Sequence, residues 1–590
     1  MNDSVTDRVT AANIKTARTL PGYPPTRYLV PYTNVGQLLA LRARETPDKI
    51  FLIHYDQAGN RELISYADFD RRVSQYARLM REEFGVRRGD RIATVGYNHS
   101  QTVILYFATW RLGAAVAPQN VAEDDQRIAY IINNAAAKVV FCFPEYLERV
   151  ETIRPDLSRV ERVVVMDDAL FARVAAAEPA EANPAEAALR QAQGTAPRAE
   201  PAEASLEDEA LLVYTSGTTG APKGVVLTQY NMLVDAFGIS SWQGITGNQR
   251  MMCVLPIHHV NGIIVTIITP LFVGGSTVLN RAYSSSHFWT RIAAEKVNVA
   301  SVVPTLLQFS CEYADAQAAK GQSIWGDGVT RADLAHFRHL ICGAGTLAVA
   351  LAERFENQFG LPILHGYGLS ETTCYSCFLP INLNEASHHH WLTAYGYPSI
   401  GCPILSNEMA IFSPDGSGER LEPGERGEIC IRGHNVMIYY FQRPEANQEA
   451  FKFGWFRSGD EGFYEVDGQG RHFFFITGRI KELINRGGVK FSPFDIEERL
   501  LEVPGVKAGL AVAFSNDYYG EEIGAYVVLE EGSPLDDAAV IAHCRETLGF
   551  AKSPKVVVFG RDIPVTSTGK YQRLKLRDLF AEWQHVQFRE

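Results

Sequence analysis

Residues 214–224, YTSGTTGAPKG, concentrate hydroxyl side chains, glycines and one lysine in a short loop. The glycines allow backbone N–H groups to turn towards a ligand in conformations that other residues avoid, and the hydroxyls add hydrogen-bond donors. The lysine adds a mobile point charge. The residues that could contact phosphate are Thr215, Ser216, Gly217, Thr218, Thr219, Gly220 and Lys223. We therefore expect a phosphate-binding loop, with a flexible surface turn as the alternative.

Two common phosphate-binding motifs do not fit this loop. A Walker A loop has Gly-Lys-Ser or Gly-Lys-Thr after its glycines, and that sequence is missing here. The glycine-rich loop of protein kinases has a different spacing. The apolar residues 211–213 come directly before the loop and predict a strand that leads into it.

Short apolar runs alternate with helical patterns along most of the chain. Residues 63–83 place apolar side chains at helical spacing, and residues 91–97 (RIATVGY) predict a strand. Further strand-like runs occupy residues 139–143, 163–166, 252–256, 276–279, 299–303, 340–342 and 363–364. This alternation predicts an α/β fold with largely parallel sheets.

Polar or glycine-rich turns follow three of these predicted strands. They are HHVNG at 258–262, GAGT at 343–346 and GYGLSETT at 366–373. Because chemistry in such sheets gathers beyond the strand ends, we expect these turns to contribute to one site. A metal site at His258 and His259 is not favoured, since adjacent side chains of an extended chain point apart and no carboxylate pair accompanies them. For the same reason, residues 388–390 (HHH) predict an exposed loop.

Length and composition limit the possible classes of protein. The chain has 590 residues and a net charge of -12, which predicts several domains and argues against a nucleic-acid-binding surface. The N-terminus lacks the apolar core of a signal peptide, and no run reaches the ~18 apolar residues of a membrane helix. The most apolar stretch, residues 263–273, predicts a buried helix. Nine scattered cysteines favour a reducing cytoplasm over a disulfide scaffold.

Residues 175–210 differ in composition from the rest of the chain. They are rich in alanine, glutamate and proline, and the sequence AEPAEA occurs twice, at 177–182 and 199–204. Such a segment cannot bury an apolar face. We expect a flexible, solvated insertion directly before the phosphate loop.

Five motifs in order resemble the signature set of the adenylate-forming, or AMP-binding, superfamily. They are YTSGTTGAPKG at 214–224, GYGLSETT at 366–373, WFRSGDEGFYEVDG at 455–468, TGRIKELINRGG at 477–488 and PVTSTGKYQR at 564–573. The resemblance runs from about residue 33 to the C-terminal region. It is strongest to the acyl- and aryl-CoA synthetase branch of the superfamily.

The resemblance implies an AMP-forming acid:CoA ligase with ATP, Mg²⁺ and CoA as cofactors. Such an enzyme activates a carboxylic acid with ATP to an acyl adenylate and pyrophosphate, then transfers the acyl group to CoA and releases AMP. An adenylation enzyme that loads the thiol of a carrier protein is the alternative. The implied fold has a large N-terminal domain (1–479) of mostly parallel sheets packed by helices. A small α+β C-terminal domain (480–590) rotates about a hinge.

The resemblance also implies roles for single residues of the motifs. The loop at 215–223 closes over the β- and γ-phosphates. The other nucleotide and metal residues are Tyr367 and Gly368 at the adenine, Thr372 at the α-phosphate, Glu371 at Mg²⁺, and Asp460 and Arg479 at the ribose. A carboxylate oxygen is a suitable ligand for Mg²⁺. A helix-capping acid is the alternative for Glu371.

The C-terminal motifs are similar to those that serve both half-reactions. Lys481 matches the hinge position, and Lys570 matches the lysine that reaches the reacting carboxylate and α-phosphate. The flexible stem of lysine suits that reach. After domain rotation, CoA is expected near Arg486, Gly487, Gly488 and Lys490. Gly487 departs from the family pattern, since some aryl-CoA ligases carry a lysine there. Lys490 departs too, since relatives place Gln or Arg there.

The acyl group is expected to lie beyond the three turns. By position, the resemblance implies that the pocket is lined by His259, Asn261, Val303, Cys342, Gly343, Gly345 and Thr346. These side chains are mostly small and apolar and include no arginine for a second carboxylate. They favour a fatty or other apolar monocarboxylic acid. The sequence does not explain Tyr439-Tyr440, which stands where many members have Gly-Tyr.

Overall fold

The computed structural model describes residues 4–177, 204–215, 221–565 and 571–589. Residues 216–220 of the phosphate loop, Lys570 and most of the alanine-rich segment lie outside this range. The described residues form three sheets up to Arg479 and a fourth sheet from Ile484 onwards. The predicted α/β class with a second, smaller domain is confirmed.

The largest sheet has nine strands within the described residues. Its central strands are parallel and its edge strands antiparallel. In spatial order they are Cys402–Pro403, Cys377–Phe378, Ile363–Tyr367, His339–Cys342, Val299–Val302, Arg250–Cys253, Ser276–Asn280, Ile50–Tyr55 and Arg61–Ser65. Strands buried on both faces need near-continuous apolar runs, which is why the sequence predicts them well.

A second sheet has seven described strands. In spatial order they are Tyr439–Tyr440, Lys223–Thr228, Glu209–Thr215, Ala115–Gln119, Arg91–Val95, Val139–Cys142 and Arg162–Val165. The strand Glu209–Thr215 enters the phosphate loop, and Lys223–Thr228 returns from it antiparallel. The two strands on either side of the loop therefore pair with each other, next to the edge strand Tyr439–Tyr440.

Two antiparallel arrangements complete the structure. The third sheet contains Asn407–Phe412, Gly427–Gly433, Phe456–Val466 and His472–Arg479. The C-terminal sheet contains Val489–Phe491, Ile484–Arg486, Gly520–Leu529 and Val506–Asn516, with Val556–Gly560 parallel to Gly520–Leu529. The short turn Ile480–Glu482 joins the third sheet to the C-terminal sheet.

Helices cover both large sheets and the C-terminal sheet. The α-helices are Arg8–Ala17, Val35–Glu45, Tyr66–Glu82, Ser100–Arg111, Asp125–Asn134, Leu147–Ile153, Asp168–Ala176, Gln229–Gln243, Thr269–Val273, Ser285–Ala294, Pro304–Ala318, Val349–Phe359, Glu385–Thr393, Pro444–Ala450, Pro493–Leu501 and Asp537–Lys552. The 3₁₀ segments are Pro144–Tyr146, Arg154–Asp156, Ala332–Leu334, Ser370–Thr372, Lys452–Gly454, Ile480–Glu482 and Arg573–Trp583. None of the described helices is long and apolar enough to cross a membrane.

The helix Gln229–Gln243 lies in the core of the N-terminal domain. Twelve of its fifteen residues are buried. It begins with a capping box, in which the side chains of Thr228 and Asn231 satisfy free backbone N–H groups. A helix buried on nearly all sides places even its polar residues, such as Asp235, inside the protein.

Three local expectations can be compared with the structure. The apolar stretch 263–273 is a buried helix as predicted, formed by a π-helical segment, Asn261–Ile268, and the α-helix Thr269–Val273. The helix predicted from residue 63 begins only at Tyr66, because Ser65 caps it and the residues before it form a strand. The loop prediction for residues 388–390 is wrong, since they lie in the helix Glu385–Thr393.

Candidate active site

Tyr440 and Glu371 are in direct contact at the centre of the candidate site. The Tyr440 hydroxyl donates to Oε1 of Glu371 at 2.7 Å, and both side chains are buried. Nζ of Lys223 lies 4.3 Å from the centre of the Tyr440 ring. Burial lowers the pKa of Lys223, and the negative charge of Glu371 opposes that shift. One tyrosine therefore contacts both a carboxylate and a cation beside the phosphate loop.

Strand pairing positions these groups. Lys223 lies opposite Thr215 at the base of the phosphate hairpin. On the other side of the same strand, Tyr440 pairs with Val225. Tyr439 precedes Tyr440 in a strand, so its side chain points to the opposite face, where its hydroxyl donates to Oε1 of Glu209 at 3.3 Å. The unusual Tyr439 thus leaves the contact of Tyr440 with Glu371 in place.

A second cation, Arg443, lies close to the phosphate hairpin. Its Nη2 donates to the Tyr130 hydroxyl at 2.7 Å, and that hydroxyl donates to the carbonyl oxygen of Pro222 at 3.3 Å. The charge of Arg443 also contributes to the lowered pKa of Lys223. The motif argument did not identify Arg443, because it lies after the strand Tyr439–Tyr440 and outside the five motifs.

The turn that presents Glu371 is tightly constrained. The N–H of Met437 donates to the backbone oxygen of Glu371 at 2.8 Å. A Cβ added to Gly368 would lie 1.8 Å from the carbonyl oxygen of Cys374, so the chain passes there only as glycine. Thr373 has a φ of 67° and a ψ of −58°. The N–H of Cys374 donates to Thr372 at 2.8 Å, which completes a strained γ-turn.

The structure places the Thr372 side chain within its own turn. Its hydroxyl accepts from the N–H of Leu369 at 3.1 Å and lies 3.3 Å from the carbonyl oxygen of the same residue. Thr372 is fully buried. Ser370, two residues earlier, is half-buried, and its hydroxyl has no partner among the described residues. Ser370 is therefore better placed than Thr372 to offer a free hydroxyl.

A buried carboxyl group lies beneath this turn. Asp235 is fully buried; its Oδ2 accepts from the N–H of Tyr375 and its Oδ1 from Nδ2 of Asn435, both at 3.3 Å. Nδ2 of Asn435 also donates to the backbone oxygen of Tyr375 at 3.0 Å. The backbone oxygen of Asn435 accepts from the Thr373 hydroxyl at 2.6 Å. Burial raises the pKa of Asp235 well above its usual value. This buried carboxyl group therefore links the core helix to the turn after Glu371.

Asp460 and Tyr367 form the second polar pair of the site. The Tyr367 hydroxyl donates to Oδ2 of Asp460 at 2.6 Å. Asp460 lies opposite Arg479 on neighbouring strands, and Nε of Arg479 is 3.3 Å from Oδ1. The nearby carboxylate raises the pKa of Arg479. No well-aligned hydrogen bond from the described residues reaches Oδ1 of Asp460, which leaves an acceptor for a ligand hydroxyl.

The predicted acyl pocket contains a chain of polar side chains. The Ser301 hydroxyl donates to Oδ1 of Asn261 at 2.6 Å, and Nδ2 of Asn261 donates to the Tyr375 hydroxyl at 3.1 Å. All three residues are buried. A Cβ added to Gly343 would lie 2.6 Å from that tyrosine hydroxyl. Ser301 and Tyr375 were not predicted, since each lies just outside the turns that carry the motif residues.

The remaining predicted pocket residues differ in accessibility. Val303 and Cys342 are buried, whereas His259, Gly345 and Thr346 are half-buried. The rings of His258 and His259 are 4.4 Å apart. Burial lowers the pKa of His258 to about 4, so this imidazole is neutral near pH 7.

The C-terminal domain contacts the N-terminal domain at several points. Nζ of Lys507 is 3.1 Å from Oε1 of Glu312, and the N–H of Val349 donates to Oε1 of Glu498 at 3.4 Å. Lys481, the predicted hinge residue, is exposed, and its charge contributes to the lowered pKa of Lys223. The hinge therefore lies near the phosphate hairpin in this arrangement.

Lys570 lies outside the described residues, but the structure places the residues on either side of its loop. Val565 and Tyr571 form an antiparallel bridge. Nη2 of Arg573 donates to Oε2 of Glu497 at 3.1 Å, and its Nε is 3.5 Å from Oε2 of Glu482 in the turn Ile480–Glu482. The chain that follows Lys570 thus contacts the predicted hinge.

The predicted CoA residues separate into two groups. Arg486 donates to Glu522 at 2.6 Å, and its guanidinium lies 4.0 Å from the Tyr519 ring centre, so it is engaged inside the C-terminal domain. Nη2 of Arg486 is buried and has no hydrogen-bond partner among the described residues, so the contact of Arg486 with CoA stays a prediction. Lys490 is exposed, and Gly487 and Gly488 have φ values of 60° and 91°.

The side chains around Glu371 suit a metal ion that is shared with a ligand. Among the described residues, no group of three or more His, Cys, Asp or Glu side chains could hold a metal alone. Mg²⁺ is commonly held by one or two carboxylates together with substrate phosphates. The donor set at Glu371 fits that mode of binding.

Two family models match most of this chain. The model of the AMP-binding enzyme family matches residues 39–441, and that of the AMP-binding enzyme C-terminal domain matches residues 495–570. The chain belongs to the AMP-binding enzyme family. The resemblance seen in the five motifs is thereby confirmed.

Individual relatives of this AMP-binding enzyme indicate which reaction it catalyses. The sulfoacetate–CoA ligase of Cupriavidus necator is 32% identical over 92% of this chain and 97% of its own. A feruloyl-CoA synthase of an Amycolatopsis species is 30% identical over 93% of this chain and 99% of its own. ATP-bound MatB from Rhodopseudomonas palustris aligns with a TM-score of 0.78 at 25% identity, over 93% of this chain and 99% of MatB. The chain is an AMP-forming acid–CoA ligase.

Proposed function

We propose that this ligase activates a monocarboxylic acid whose chain or ring is apolar, such as a fatty or aromatic acid. The observation that carries the proposal is the neutral character of the acyl pocket. The hydrogen bonds of Asn261, Ser301 and Tyr375 involve no lysine or arginine among the described residues. His258 is neutral near pH 7 because its pKa is lowered to about 4. A second anionic group on the acid would lack a cationic partner there.

The relatives do not decide the acid. One is named for sulfoacetate, which has two anionic groups, and another for the feruloyl group, which has an aromatic ring. An uncharged polar pocket discriminates poorly against added apolar carbons but strongly against an unpaired charge. The uncharged pocket therefore supports a substrate acid that carries no charge apart from its reacting carboxylate.

In the first half-reaction, the acid carboxylate attacks the α-phosphorus of ATP, and the repulsion between these two anions must be reduced. Lys223 and Arg443 supply positive charge at the phosphate hairpin. Glu371 would hold Mg²⁺ together with the ATP phosphates, and the ion would screen their negative charge. Ser370 offers a free hydroxyl beside Glu371 for an α-phosphate oxygen.

The nucleoside part of ATP is proposed to bind at Tyr367 and Asp460. The free acceptor Oδ1 of Asp460 suits a ribose hydroxyl, and the Tyr367 hydroxyl fixes the orientation of the carboxylate. Arg479 lies beside the same oxygen and can contact the sugar. These groups orient the nucleotide without taking part in bond formation.

In the second half-reaction, the CoA thiolate attacks the acyl carbon and AMP leaves. Lys570 is proposed to act only in the first half-reaction, at the reacting carboxylate and α-phosphate. Rotation about Lys481 then brings Gly487 and Gly488 to the thiol path, where positive φ values allow the backbone to approach pantetheine closely. Lys490 is the exposed cation nearest to this path in sequence.

Acid-dependent exchange of pyrophosphate into ATP tests the proposal. Fatty, aromatic and short-chain acids are compared with sulfoacetate and oxalate at equal concentration. We expect the highest kcat/KM with an uncharged side chain, and a preference for sulfoacetate or oxalate would contradict the pocket argument. Lys570→Ala is the control: it should abolish exchange yet still convert supplied acyl adenylate to thioester. Comparing CoA with a carrier-protein thiol as acceptor tests the alternative.

A further inference from the structure

Residues ahead of the first helix pack against the chain that follows Tyr440. Ser4 is 2% exposed. The N–H of Gln442 donates to its Oγ at 2.9 Å, and Nδ2 of Asn447 donates to its carbonyl oxygen at 2.8 Å. These two hydrogen bonds fix the backbone and the side chain of Ser4 against the segment after Tyr440.

Asn447 connects this N-terminal segment to Tyr440. Its Oδ1 accepts from the N–H of Tyr440 at 2.7 Å, and its Nδ2 donates to the carbonyl oxygen of Tyr440 at 2.9 Å. Together with the bond to Ser4, one fully buried amide uses its acceptor and both of its donors. Both backbone polar groups of Tyr440 are thus held by a single side chain.

Tyr440 needs such support because its strand is short. It lies in a two-residue strand at a sheet edge, and the chain then turns at Gln442, whose φ is 51°. A non-glycine residue in this region is held there only by its surroundings. The bond from Gln442 to Ser4 is one such restraint.

The N-terminal segment is itself firmly held. Asp7 caps the helix Arg8–Ala17 by accepting from the N–H of Thr10 at 2.8 Å. A Cβ added to Gly454 would lie 2.7 Å from the Thr16 side chain, so this helix packs closely on the turn after Pro444–Ala450. The segment lies ahead of the residues that the family model matches, which begin at residue 39.

We propose that residues 4–7 position Tyr440, and through it Glu371 and Lys223, for binding of magnesium-bound ATP. The contacts run without a break from Ser4 to Asn447, to Tyr440 and to Glu371. Ser4 and Asn447 are positioning residues, since neither touches the nucleotide. The inference rests on the proposed role of Glu371 at Mg²⁺.

A double-mutant cycle tests this inference. We compare a variant that lacks residues 2–5, Tyr440→Phe and the combination of both. Removing residues 2–5 should raise KM for magnesium-bound ATP about three- to tenfold, as expected for lost hydrogen bonds, with KM for CoA and thioester formation from supplied acyl adenylate unchanged. In the Tyr440→Phe background the same deletion should raise KM for magnesium-bound ATP by less than about twofold. The reason is that both changes interrupt the same series of contacts from Ser4 to Glu371.

The inference would be overturned if the deletion and Tyr440→Phe raised KM for ATP independently, so that their effects multiplied. It would also be overturned if the deletion lowered the rates of both half-reactions equally, which would indicate a structural role only. Should the deletion variant fail to fold, Asn447→Ala breaks the same connection without changing the first helix. Tyr439→Phe is the matched control, since its hydroxyl bonds Glu209, and it should leave KM for ATP unchanged. Coupling of Tyr439→Phe to the deletion would also contradict the inference.

A binding measurement separates this inference from the proposed function. Calorimetric titration with ATP and Mg²⁺ needs no knowledge of the acid. If the wild-type protein binds ATP but shows no acid-dependent exchange, the proposed acid is wrong. The same double-mutant cycle, measured on the dissociation constant for ATP, still tests the positioning role. Raising the Mg²⁺ concentration should restore binding in the deletion variant, whereas no restoration would contradict a role at the metal.

Discussion

The hydroxyl of Tyr367 donates to Oδ2 of Asp460 at 2.6 Å, although 93 residues separate them in sequence. Tyr367 ends the strand Ile363–Tyr367, and Asp460 lies within the strand Phe456–Val466, so the contact joins the nine-strand sheet to the third sheet. Burial and then the nearby carboxylate raise the pKa of Tyr367 well above its usual value, so the phenol stays protonated and remains a donor.

Replacing Tyr367 by phenylalanine should weaken nucleotide binding. The change removes the donor and leaves a buried carboxylate oxygen without its partner, which costs about 1.5–3 kcal/mol for a hydrogen bond to a charged group. We expect KM for ATP to rise about tenfold or more. KM for the acid should stay constant, and steady-state kinetics with each substrate varied in turn checks both values. A rise in both KM values would show that the pair supports the whole site rather than the nucleotide.

Ser370 and Thr372 provide a comparison of two hydroxyls in one turn. The Thr372 hydroxyl is used within the turn, so Thr372→Val should lower stability by about 1 kcal/mol. Ser370→Ala should leave the melting temperature unchanged and lower the rate of acyl adenylate formation, because it removes a free hydroxyl beside Glu371. Thermal unfolding and pyrophosphate exchange on the same two variants measure both effects. If Thr372→Val lowered the exchange rate and Ser370→Ala lowered only the stability, Thr372 rather than Ser370 would contact the α-phosphate.

The structure brings motif residues from distant segments together, because the motifs lie in or beside strands that meet in one region of the fold. Lys223, Tyr367, Glu371 and Asp460 therefore lie around one site although they come from distant segments. Their partners depend on strand register and on packing across sheets. The contact of Tyr440 with Glu371 arises from a two-residue edge strand that no sequence pattern reveals.

Packing also determines surroundings that the sequence pattern does not reveal. Arg486, which is predicted at CoA by motif position, pairs with the buried carboxylate of Glu522 inside the C-terminal domain, and its role at CoA stays a prediction. Asp235 gave no sequence signal, since an acid within a mostly apolar helix is usually exposed. It is buried here because its helix is enclosed on nearly all sides.

The burial of Glu498 beside Val349 should make the domain arrangement depend on pH, although the hydrogen bond from the N–H of Val349 opposes the effect of burial on the pKa of Glu498. Burial raises the pKa of Glu498 from 4.5 to about 7. Because the raised pKa favours the protonated acid, the docked arrangement is most stable below about pH 4.5 and weakens as pH rises through about 7. Limited proteolysis of the hinge should be severalfold faster at pH 8 than at pH 6. In Glu498→Gln, which cannot ionise, the two rates should be equal, and a persisting pH effect would assign it to another group.

Gly343 and Gly345 form a matched pair in the acyl pocket. A Cβ on Gly343 would lie 2.6 Å from the Tyr375 hydroxyl and 2.7 Å from the carbonyl oxygen of Gly366, whereas one on Gly345 would lie 3.3 Å from Pro304. Gly343→Ala should therefore lower stability by about 1–3 kcal/mol and raise KM for the acid. Gly345→Ala should change stability by less than about 1 kcal/mol. Denaturant unfolding and acid kinetics on both variants check this order, and equal effects would contradict the close packing at Gly343.

The buried acid Asp235 should behave as a neutral group. Since its pKa is raised well above the usual value, the folded protein keeps the acid protonated over a pH range in which the unfolded chain ionises it. Its contribution to stability is therefore full below about pH 4 and is lost as pH rises towards the raised pKa.

Asp235→Asn replaces the protonated acid by a neutral group of the same shape. We expect the variant to gain stability relative to the wild type as pH rises from 4 to 7. Asp235→Leu should be less stable at every pH, because the N–H of Tyr375 and Nδ2 of Asn435 lose their acceptors. Chemical denaturation across this pH range measures the differences. If the difference in the free energy of unfolding between wild type and Asp235→Asn stayed constant with pH, Asp235 would be ionised in the folded protein. The turn after Glu371 would then be held by a buried charge.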